Sequence, residues 1–467
     1  MKLYNTLTRQ IDKIAPLNPP KVTVYTCGPT VYDYAHIGHW YNYVRMDTLI
    51  RALKLSGLQP DWVMNITDVG HLVSDADEGE DKLEKGARRE GKTAWEVAEF
   101  YTADFMECMH LLGINTPDHI TKATDHIKEQ IELIQKLEAN GFTYVINDGV
   151  YYDTSKFEGY AAFARLDLDD QQEGARVAVN EQKRNGSDFA LWKFSPTDHQ
   201  RDMEWDSPWG KGFPGWHIEC SAMAMKYLGD TLDIHTGGID HITVHHTNEI
   251  AQSEGATGKR FANHWMHSNH VMVNGEKISK SLNNGIRLQD ILEKGNPVEA
   301  IRLNILESHY RSQSQFSWES LEAAKNRLTG FRSATALRWQ ASPDTNETPL
   351  LNFVEAASKL REYLKNDLDT PEALAFLNRV FDIVSSAGIM QREVADFSAF
   401  LKCIDDAFEL NLSKIPDISE EQKTQVADRN AAREAKDWAR SDELRDQLTA
   451  QGIGIRDTSY GAVWYPL

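Results

Sequence analysis

The first half of the chain alternates between two patterns of apolar and polar positions. Mainly apolar runs at residues 22–26 and 62–66 predict short buried strands. Residues 39–55 and 95–112 have the apolar spacing of helices, which in the first of these stretches is shown by Tyr43, Met46, Leu49, Ile50 and Leu53. Strands that alternate with helices predict an α/β fold with a Rossmann-like, doubly wound parallel sheet.

A different pattern interrupts this alternation. The charged stretch 75–89 predicts a loop. After a helical pattern at 127–137, residues 144–152 contain an Asn-Asp-Gly turn between apolar runs and predict a β-hairpin. The polar, irregular sequence that continues to Trp192 is typical of an insertion between two halves of a nucleotide-binding fold. The earlier alternation then returns with a helix, a strand and a helix at 217–228, 232–235 and 245–256.

Helical spacing dominates the rest of the chain and predicts an α-helical bundle followed by a small α+β domain. The bundle helices are expected at 298–308, 321–328, 353–364 and 371–386. The last domain is expected to contain a long charged helix over 418–448 and a strand at 462–465. The predicted regions are the two halves of the Rossmann-like domain at 1–125 and 201–270, the insertion at 126–200, a loop region at 271–320, the bundle at 321–417 and the C-terminal domain at 418–467.

Composition narrows the class of protein. A chain of 467 residues exceeds one ordinary core and predicts several domains. Its apolar runs are too short for a membrane span, and its first residues lack a secretory or transit pattern, so we expect a cytoplasmic protein. The cysteines are widely separated, which argues against a disulfide framework. With 50 basic and 70 acidic residues the chain carries a formal charge of −20, so a nucleic-acid partner would need local basic patches.

Two motifs suggest phosphate chemistry. His36-Ile-Gly-His39 follows the first strand where a helix begins, and a helix start with its free N–H groups attracts phosphate. Lys277-Ile-Ser-Lys280-Ser281 offers lysines in a loop that can close over a triphosphate. Each motif also has an ordinary structural explanation. The histidines could simply cap the helix, and the lysines could belong to a solvated basic loop. Their joint occurrence, without a GxxxxGK[ST] phosphate loop, favours the chemical interpretation.

Four residues form a candidate zinc site. His245 and Glu249 are four apart, so a helix would present both on one face. Cys27 at the end of the first strand could meet Cys220 across the sheet and complete a tetrahedral site with two sulfurs, one nitrogen and one oxygen. Buried structural cysteines and an ordinary surface His/Glu pair remain the alternative from these residues alone.

The two motifs resemble the HIGH and KMSKS signatures of class I aminoacyl-tRNA synthetases, with Ile278 in place of the usual methionine. Across essentially the whole chain the sequence is similar to the cysteinyl-tRNA synthetase family. The resemblance implies ATP-dependent activation of L-cysteine with Mg²⁺, transfer to tRNA(Cys), and one zinc ion per chain that selects a thiol over a hydroxyl. It places the zinc on Cys27, Cys220, His245 and Glu249, and it assigns tRNA contact to 271–320 and anticodon binding to 321–417 and 418–467.

The resemblance also implies roles for single residues. The expected catalytic residues are His36, His39, Lys277 and Lys280. ATP is expected to contact these side chains together with Gly28, Thr30, Gly38, Gly237, Gly238 and Asp240. The cysteine substrate is expected to contact Cys27, Thr67, Trp216, Cys220 and His245, within a histidine lining that includes His36, His39, His217, His235 and His246. The expected tRNA contacts are Arg176, Lys183, Arg184, Arg433, Lys436, Arg456 and Trp464.

Several positions depart from the family pattern and indicate a divergent subgroup. Val69-Gly70-His71 replaces Ile-Asp-Asp-Lys, and Trp40-Tyr-Asn42 replaces a small residue and an arginine. Thr236 interrupts a run of glycines, and Thr247 stands where an acid is common. Two alternatives remain: a ligase that joins cysteine to an amino sugar, which should lack the anticodon-reading tail, and an inactive tRNA-binding paralogue, which should have damaged signatures. We expect a monomer.

Overall fold

The structure is a computed structural model that describes residues 1–70, 81–165, 181–197, 200–278, 284–346, 348–458 and 461–467. Its strands are β1 (Lys2–Asn5), β2 (Gln10–Lys13), β3 (Lys21–Thr26), β4 (Gln59–Ile66), β5 (His119–Lys122), β6 (Thr143–Ile146), β7 (Gly149–Tyr152), β8 (Phe189–Phe194), β9 (Gly212–Pro214), β10 (Leu232–Gly238), β11 (Ala262–Ser268), β12 (Val271–Val273), β13 (Glu276–Lys277), β14 (Ser314–Phe316), β15 (Ile453–Thr458) and β16 (Gly461–Pro466). Its helices are α1 (Ile37–Leu55), α2 (Lys82–Glu90), α3 (Ala94–Leu111), α4 (Ile127–Ala139), α5 (Trp216–Leu228), α6 (His245–Thr257), α7 (Leu288–Leu292), α8 (Val298–Leu306), α9 (Trp318–Thr335), α10 (Phe353–Lys365), α11 (Thr370–Ala387), α12 (Val394–Phe408), α13 (Glu420–Glu434) and α14 (Trp438–Ala450).

A five-stranded parallel sheet forms the centre of the fold, with strand order β11-β10-β3-β4-β5. The chain runs from β3 outward to β4 and β5, and later enters β10 on the other side of β3. The strand order therefore reverses between β3 and β10, where Thr26 pairs with Thr236. In doubly wound sheets, ligands bind at the carboxyl ends of the strands beside such a reversal. The predicted α/β fold class is confirmed.

Helix α1 joins the sheet to the helical region through buried charges. Arg302 of α8 donates from Nη2 to Oδ2 of Asp47 at 2.6 Å, and Arg51 donates from Nε to the same oxygen at 2.7 Å. Arg51 also pairs with Glu409, which follows α12, at 2.8 Å. Asn115 donates its backbone and side-chain N–H groups to the other Asp47 oxygen. These contacts satisfy the hydrogen-bonding capacity of the Asp47 carboxylate, which is fully shielded from water. They hold α1 between the central sheet and the helical region.

The charged stretch 75–89 predicts a loop, and this prediction is wrong for its described part, where α2 forms. The Asp81 carboxylate accepts hydrogen bonds from the backbone N–H groups of Leu83 and Glu84 at 2.7 and 3.0 Å, which caps the helix start. Leu83 and Ala87, one turn apart, are buried beside α3. Two apolar positions among many charged ones give only a weak helical pattern in the sequence. The Asp81 cap stabilises the helix start, which that pattern does not reveal.

The insertion contains an antiparallel sheet in the order β6-β7-β8-β9, and the predicted hairpin at 144–152 corresponds to β6 and β7. Its apolar face packs on α4, α5 and α6 through a core that includes Leu137, Trp192 and Ile218. Strand β9 lies beyond residue 200, so the sheet continues past the predicted limit of the insertion. The domain limits themselves stay predictions.

The C-terminal region combines helices α9 to α12 with a module of α13, α14 and the antiparallel hairpin β15–β16. The prediction of one long helix over 418–448 is wrong, because two helices meet at Lys436. This residue adopts a left-handed backbone conformation (φ 61°), and the Asp437 side chain then caps α14 by accepting from Arg440 N. Among the helices that the structure describes, none combines the length and apolar composition that a bilayer crossing requires.

Candidate active site and metal centre

The two-histidine motif forms the start of α1. The His36 Nδ1 atom accepts a hydrogen bond from Gly38 N at 3.1 Å, and the His39 Nδ1 atom accepts one from His36 N at 3.1 Å. Burial and the neighbouring His36 lower the pKa of His39 to about 3, so its ring is neutral near pH 7. Because Nδ1 is an acceptor in each ring, the proton of a neutral ring lies on Nε2. Both histidines can therefore donate to a phosphate oxygen while they also shape the helix start.

The second motif lies next to the first. The Ile37 N–H donates to Ile286 O at 2.7 Å, which ties the start of α1 to the segment after the lysine loop. A Cβ atom on Gly38 would lie 2.9 Å from the His36 ring and 3.1 Å from Ile278, so only glycine fits this contact without displacement. Lys277 is exposed at the end of β13. Lys280 lies outside the described residues.

The loop after β3 packs on the end of β4. A Cβ atom on Gly28 would lie 1.5 Å from Asn65 O, and Gly28 N donates to Asn65 Oδ1 at 2.8 Å. This close approach requires glycine and brings Thr30 into a backbone bridge with Thr67. The structure thus places two predicted ATP residues, Gly28 and Thr30, beside the predicted cysteine-binding residue Thr67.

The four predicted zinc ligands come together at the carboxyl ends of the central strands. Cys27 follows β3, Cys220 lies on α5, and His245 and Glu249 lie one turn apart on α6. One ligating atom from each lies within 4.8 Å of the others, and all four side chains are buried. The His245 Nε2 atom is 2.9 Å from Glu249 Oε1, and the Cys27 sulfur is 3.8 Å from the same oxygen.

A second possible ligand set shares two members with the first. It consists of Cys27, Glu249, His235 and His246, again with one atom from each within 4.8 Å. The His235 Nε2 atom lies 2.9 Å from Glu249 Oε2, and the His246 Nε2 atom lies 3.3 Å from the Cys27 sulfur. The sequence did not indicate this set, because its histidines lie on different elements and have no characteristic spacing.

The protonation equilibria of the cluster differ between its members. Burial acts to raise the pKa of the Cys220 thiol, but its hydrogen bond with Cys27 and the charge of His245 outweigh burial and lower the pKa to about 7. Burial raises the pKa of Cys27 well above its usual value. Burial acts to lower the pKa of His245, yet Glu249 and Cys220 raise it to about 10. Sulfur, nitrogen and carboxylate groups are thus concentrated in one dry space, and a divalent cation bound there would displace the protons of the Cys27 thiol and the His245 ring.

Further aromatic residues orient the cluster. The Nδ1 atoms of His217 and His245 lie 2.9 Å apart, and the Trp216 ring stacks on His245 with a centroid distance of 4.3 Å. His246 Nδ1 lies 2.7 Å from His267 Nε2. Sequence reasoning missed His267. The sequence signal that could have indicated His267 is its position as a polar residue in the buried strand β11, because a buried polar side chain needs a hydrogen-bond partner. His235 is also shielded completely and stacks on Trp265 at 4.5 Å.

Glycines expected near adenosine have close neighbours. A Cβ atom on Gly237 would lie 2.6 Å from His241 Nδ1 and 2.7 Å from His246 Cε1. A Cβ atom on Gly238 would lie 2.4 Å from an oxygen of Asp240. A side chain at either position would displace these neighbours. The structure therefore explains Gly237 by packing against the histidine cluster and Gly238 by the nearby Asp240 side chain.

The departures from the family pattern are accommodated within the fold. The Thr236 hydroxyl lies 2.9 Å from that of Thr26, and the Thr247 hydroxyl donates to a backbone carbonyl at 2.7 Å. Trp40 is fully buried and stacks on Phe105 at 5.3 Å. None of these three side chains replaces a ligand of the metal cluster.

The predicted tRNA contacts of the insertion lie on its sheet. Arg184 pairs with Asp153 at 3.0 Å and lies over the Tyr144 ring at 4.3 Å. The Lys183 ammonium group lies 5.3 Å from the Tyr151 ring centre. Arg176 lies outside the described residues.

The predicted tRNA contacts of the last module differ in exposure. Arg433 and Lys436 are exposed, and Arg456 is half-buried. We correct the expectation for Trp464, because its ring is only 4% exposed within a core and offers no free face to a base. Trp438 is instead 55% exposed, with the Arg433 guanidinium 5.6 Å from its ring centre.

Comparisons with known proteins extend over the whole chain. The family model described as tRNA synthetases class I (C) catalytic domain matches residues 13–326, and the model of the cysteinyl-tRNA ligase anticodon binding domain matches 415–464. The cysteine–tRNA ligase of Treponema denticola is 41% identical over 100% of both chains. Cysteine–tRNA ligase 1 of Burkholderia lata is 44% identical over 99% of this chain and 96% of that relative. A methionyl-tRNA synthetase of Mycobacterium tuberculosis, solved with methionyl-adenylate, shares the fold with a TM-score of 0.61 and 16% identity over 84% of this chain and 92% of that one.

Proposed function

Because the chain belongs to the cysteinyl-tRNA ligase family of class I synthetases, we propose that it activates L-cysteine with ATP and transfers the cysteinyl group to tRNA(Cys). The observation that carries this proposal is the convergence of Cys27, Cys220, His245 and Glu249 at the carboxyl ends of the central strands. The match to an anticodon-binding model favours tRNA over an amino sugar as acceptor. The intact His36 to His39 and Lys277 to Ser281 motifs argue against an inactive paralogue.

The reaction requires two displacements. A cysteine carboxylate oxygen bonds to the α-phosphorus of Mg²⁺-bound ATP, and the bond to pyrophosphate breaks. A ribose hydroxyl oxygen of the tRNA end then bonds to the cysteinyl carbonyl carbon, the bond to the AMP oxygen breaks, and that phosphate takes the hydroxyl proton. The Nε2–H groups of His36 and His39 would hold phosphate oxygens, and Lys277 with Lys280 would neutralise the leaving pyrophosphate. No covalent enzyme intermediate is needed.

The donor set fits zinc. Two thiols, an imidazole and a carboxylate are ligands that zinc accepts at a tetrahedral site, and each is already within reach of the others. A zinc ion bound there would supply a soft Lewis acid that prefers the substrate thiolate to the hydroxyl of serine. Trp216, stacked on His245, would cover the cluster and position the substrate.

Metal analysis tests the zinc assignment and the choice between the two ligand sets. We expect about one zinc per chain in the wild-type protein and in Cys403→Ala, which removes a buried thiol of α12 remote from the cluster. Cys220→Ala should lose the metal. His246→Asn should retain it if Cys220 and His245 are the ligands. Retention in Cys220→Ala together with loss in His246→Asn would select the other set.

A comparison of acceptors tests the reaction itself. Purified protein with ATP and radiolabelled cysteine should form an ester with a tRNA(Cys) transcript, and it should leave amino sugars such as glucosamine unmodified. Transfer to the sugar alone would contradict this proposal and would identify the protein as a cysteine–amino-sugar ligase. The four cysteines are all free and buried, which is consistent with our expectation of action in the cytoplasm. We also expect a monomer, to be tested by the mass in solution.

A further inference from the structure

Arg45 is a buried cation on α1 whose hydrogen-bond partners are all neutral. The residue is only 2% exposed, and its Nη1 group donates to Ser268 Oγ at 2.8 Å and to Asn269 O at 3.0 Å. Its Nη2 group donates to the hydroxyl oxygens of Ser308, at 3.1 Å, and Ser314. No carboxylate stands among these acceptors within the part of the chain that the structure describes. The planar fork of the guanidinium is therefore held by hydroxyl and carbonyl dipoles.

The burial of this charge needs an explanation. Burial lowers the pKa of Arg45 to about 10, so the side chain still carries its charge near pH 7. Its Nε–H group has no acceptor among the described residues. A buried ion without a counter-ion costs free energy that an apolar side chain of similar length would not cost. Stability alone therefore does not account for an arginine here, and its four acceptors indicate which parts of the molecule it joins.

The acceptors belong to separate parts of the proposed active site. Ser268 ends β11 directly after His267, whose ring lies 2.7 Å from that of His246 in the second ligand set. Ser314 begins β14, which pairs with β12. Strand β12 also pairs with β13, which ends at Lys277. One guanidinium thus joins α1, the strand beside the metal cluster and the three-stranded sheet that carries the first lysine of the loop.

Helix α1 meets the region of the lysine loop at two separated points. At its start, Ile37 N donates to Ile286 O at 2.7 Å. Arg45 forms the second contact about two turns later, which is about 12 Å along the helix at 1.5 Å per residue. A single contact would let the sheet of β12, β13 and β14 pivot on α1, whereas two separated contacts fix its orientation. The histidines at the start of α1 and the lysine at the end of β13 then keep a defined separation.

We propose that Arg45 is a positioning residue for the activation of cysteine, because its fork fixes the sheet that carries Lys277 against the helix whose start carries His36 and His39. The proposal rests on the proposed function and adds a residue that touches no substrate. Arg45 acts on the phosphates through the placement of Lys277. A lysine at this position would keep the charge, but it lacks the planar fork that reaches four acceptors at once.

A double-mutant cycle between Arg45 and Lys277 tests this, with the single-turnover rate of cysteinyl-adenylate formation at saturating ATP as the readout. Arg45→Met should slow this step about 10- to 100-fold, since a misplacement of about 1 Å can have an effect of that size. Its zinc content should equal that of the wild type. Lys277→Ala combined with Arg45→Met should be no slower than Lys277→Ala alone, because the group that Arg45 positions is then absent. Arg45→Lys should be about as slow as Arg45→Met.

Arg338→Met is the matched control. Arg338 is also buried, at 8% exposed, and it donates to the backbone carbonyls of Ser413 and Ile415 in the helical region. This variant should form the adenylate at the wild-type rate. If Arg45→Met does not fold, Ser314→Ala removes one acceptor of the fork and should show the same coupling to Lys277→Ala with a smaller amplitude.

Three results separate the outcomes. Effects of Arg45→Met and Lys277→Ala that multiply in the double variant would overturn the proposal, since they would show that Arg45 acts independently of the lysine. A wild-type rate in Arg45→Lys would overturn it too, because the charge alone would then suffice. Absence of cysteine-dependent pyrophosphate exchange in the wild-type protein would instead refute the proposed function.

Discussion

The Nδ1 atom of His217 lies 2.9 Å from the Nδ1 atom of His245, and the other ring nitrogen of His245 faces Glu249 Oε1 at 2.9 Å. One of the two Nδ1 atoms must donate and the other accept. If His245 donates, its Nε2 lone pair is left toward the centre of the cluster. In the metal-bound state the His245 Nδ1–H would donate to His217, and this contact would hold His245 in the tautomer that a metal ligand needs.

Replacement of His217 should weaken metal binding without removing a ligand. We expect His217→Asn to bind zinc about 10- to 100-fold more weakly in competition with a chelator, the usual effect of losing the partner of a ligating histidine. His126→Asn is the matched control, because His126 is equally shielded and bonds to Lys122 O and Tyr227 OH away from the cluster. Unaltered affinity in His217→Asn would show that the ring pair does not orient the ligand.

Lys277 should matter for chemistry rather than for folding. Its side chain is exposed at the end of β13, the strand that pairs with β12 and leads into the proposed phosphate loop. Lys277→Ala should slow formation of cysteinyl-adenylate about 10²- to 10³-fold in single-turnover experiments, because one charge opposite the leaving pyrophosphate is lost. Lys259→Ala, an exposed lysine paired with Asp230, should react at the wild-type rate. Equal rates for both variants would show that Lys277 does not contribute to adenylate formation.

The buried ion pair between Asp47 and Arg302 should stabilise the junction of the sheet and the helical region. Burial acts to raise the pKa of Asp47, but Arg302 and Arg51 outweigh it and lower the pKa. A folded-state pKa below the unfolded value means that this stabilisation is present above the unfolded pKa and disappears as pH falls. Asp47→Asn should lower the free energy of unfolding near pH 7 by about 3–5 kcal/mol, measured by urea denaturation, with a smaller difference in acid.

The control for this pair is the exposed Glu132, which lies 3.7 Å from Lys128. Glu132→Gln should leave the urea transition unchanged, because exposed pairs contribute little. A transition of Asp47→Asn that coincides with that of Glu132→Gln would contradict the stabilising role of the buried pair.

Trp438 is the candidate base-stacking residue of the last module. Its ring is 55% exposed at the start of α14, beside the Arg433 guanidinium. Trp438→Ala should weaken tRNA(Cys) binding by about five-fold or more, as expected when one base loses an aromatic partner, and should leave pyrophosphate exchange intact. Trp339→Ala removes another exposed tryptophan, 43% exposed, and should bind tRNA normally. A loss of affinity shared by both variants would indicate a general surface effect.

The local sequence pattern predicted those elements whose apolar positions repeat clearly. Strand β3, helix α1 and strand β4 fall where the runs at 22–26 and 62–66 and the helical spacing at 39–55 place them. The end of α13 at Lys436 was missed, because a left-handed residue among helix-favouring neighbours has no periodic signal. The structure of α2 depends on one cap and two buried side chains, which charge patterning conceals.

In the candidate site, too, local sequence patterns predicted some residues, whereas residues brought together by long-range contacts were missed. The spacing of His245 and Glu249 indicated a shared helix face, and the resemblance to a family joined them to Cys27 and Cys220. The second ligand set and the ring pair of His217 were not predictable in this way, because they depend on contacts between α5, α6, β10 and β11. The burial of Trp464 likewise depends on long-range packing, since the sequence does not distinguish a core aromatic from an exposed one.

Amino-acid-dependent ATP–pyrophosphate exchange, measured with all twenty amino acids, tests most directly whether the buried cluster selects the substrate. The wild-type protein and Cys403→Ala should exchange with cysteine and discriminate against serine by a factor of about a thousand or more, whereas Cys220→Ala should lose both exchange and preference. Exchange with a different amino acid, or an undiminished preference for cysteine over serine in Cys220→Ala, would contradict the account.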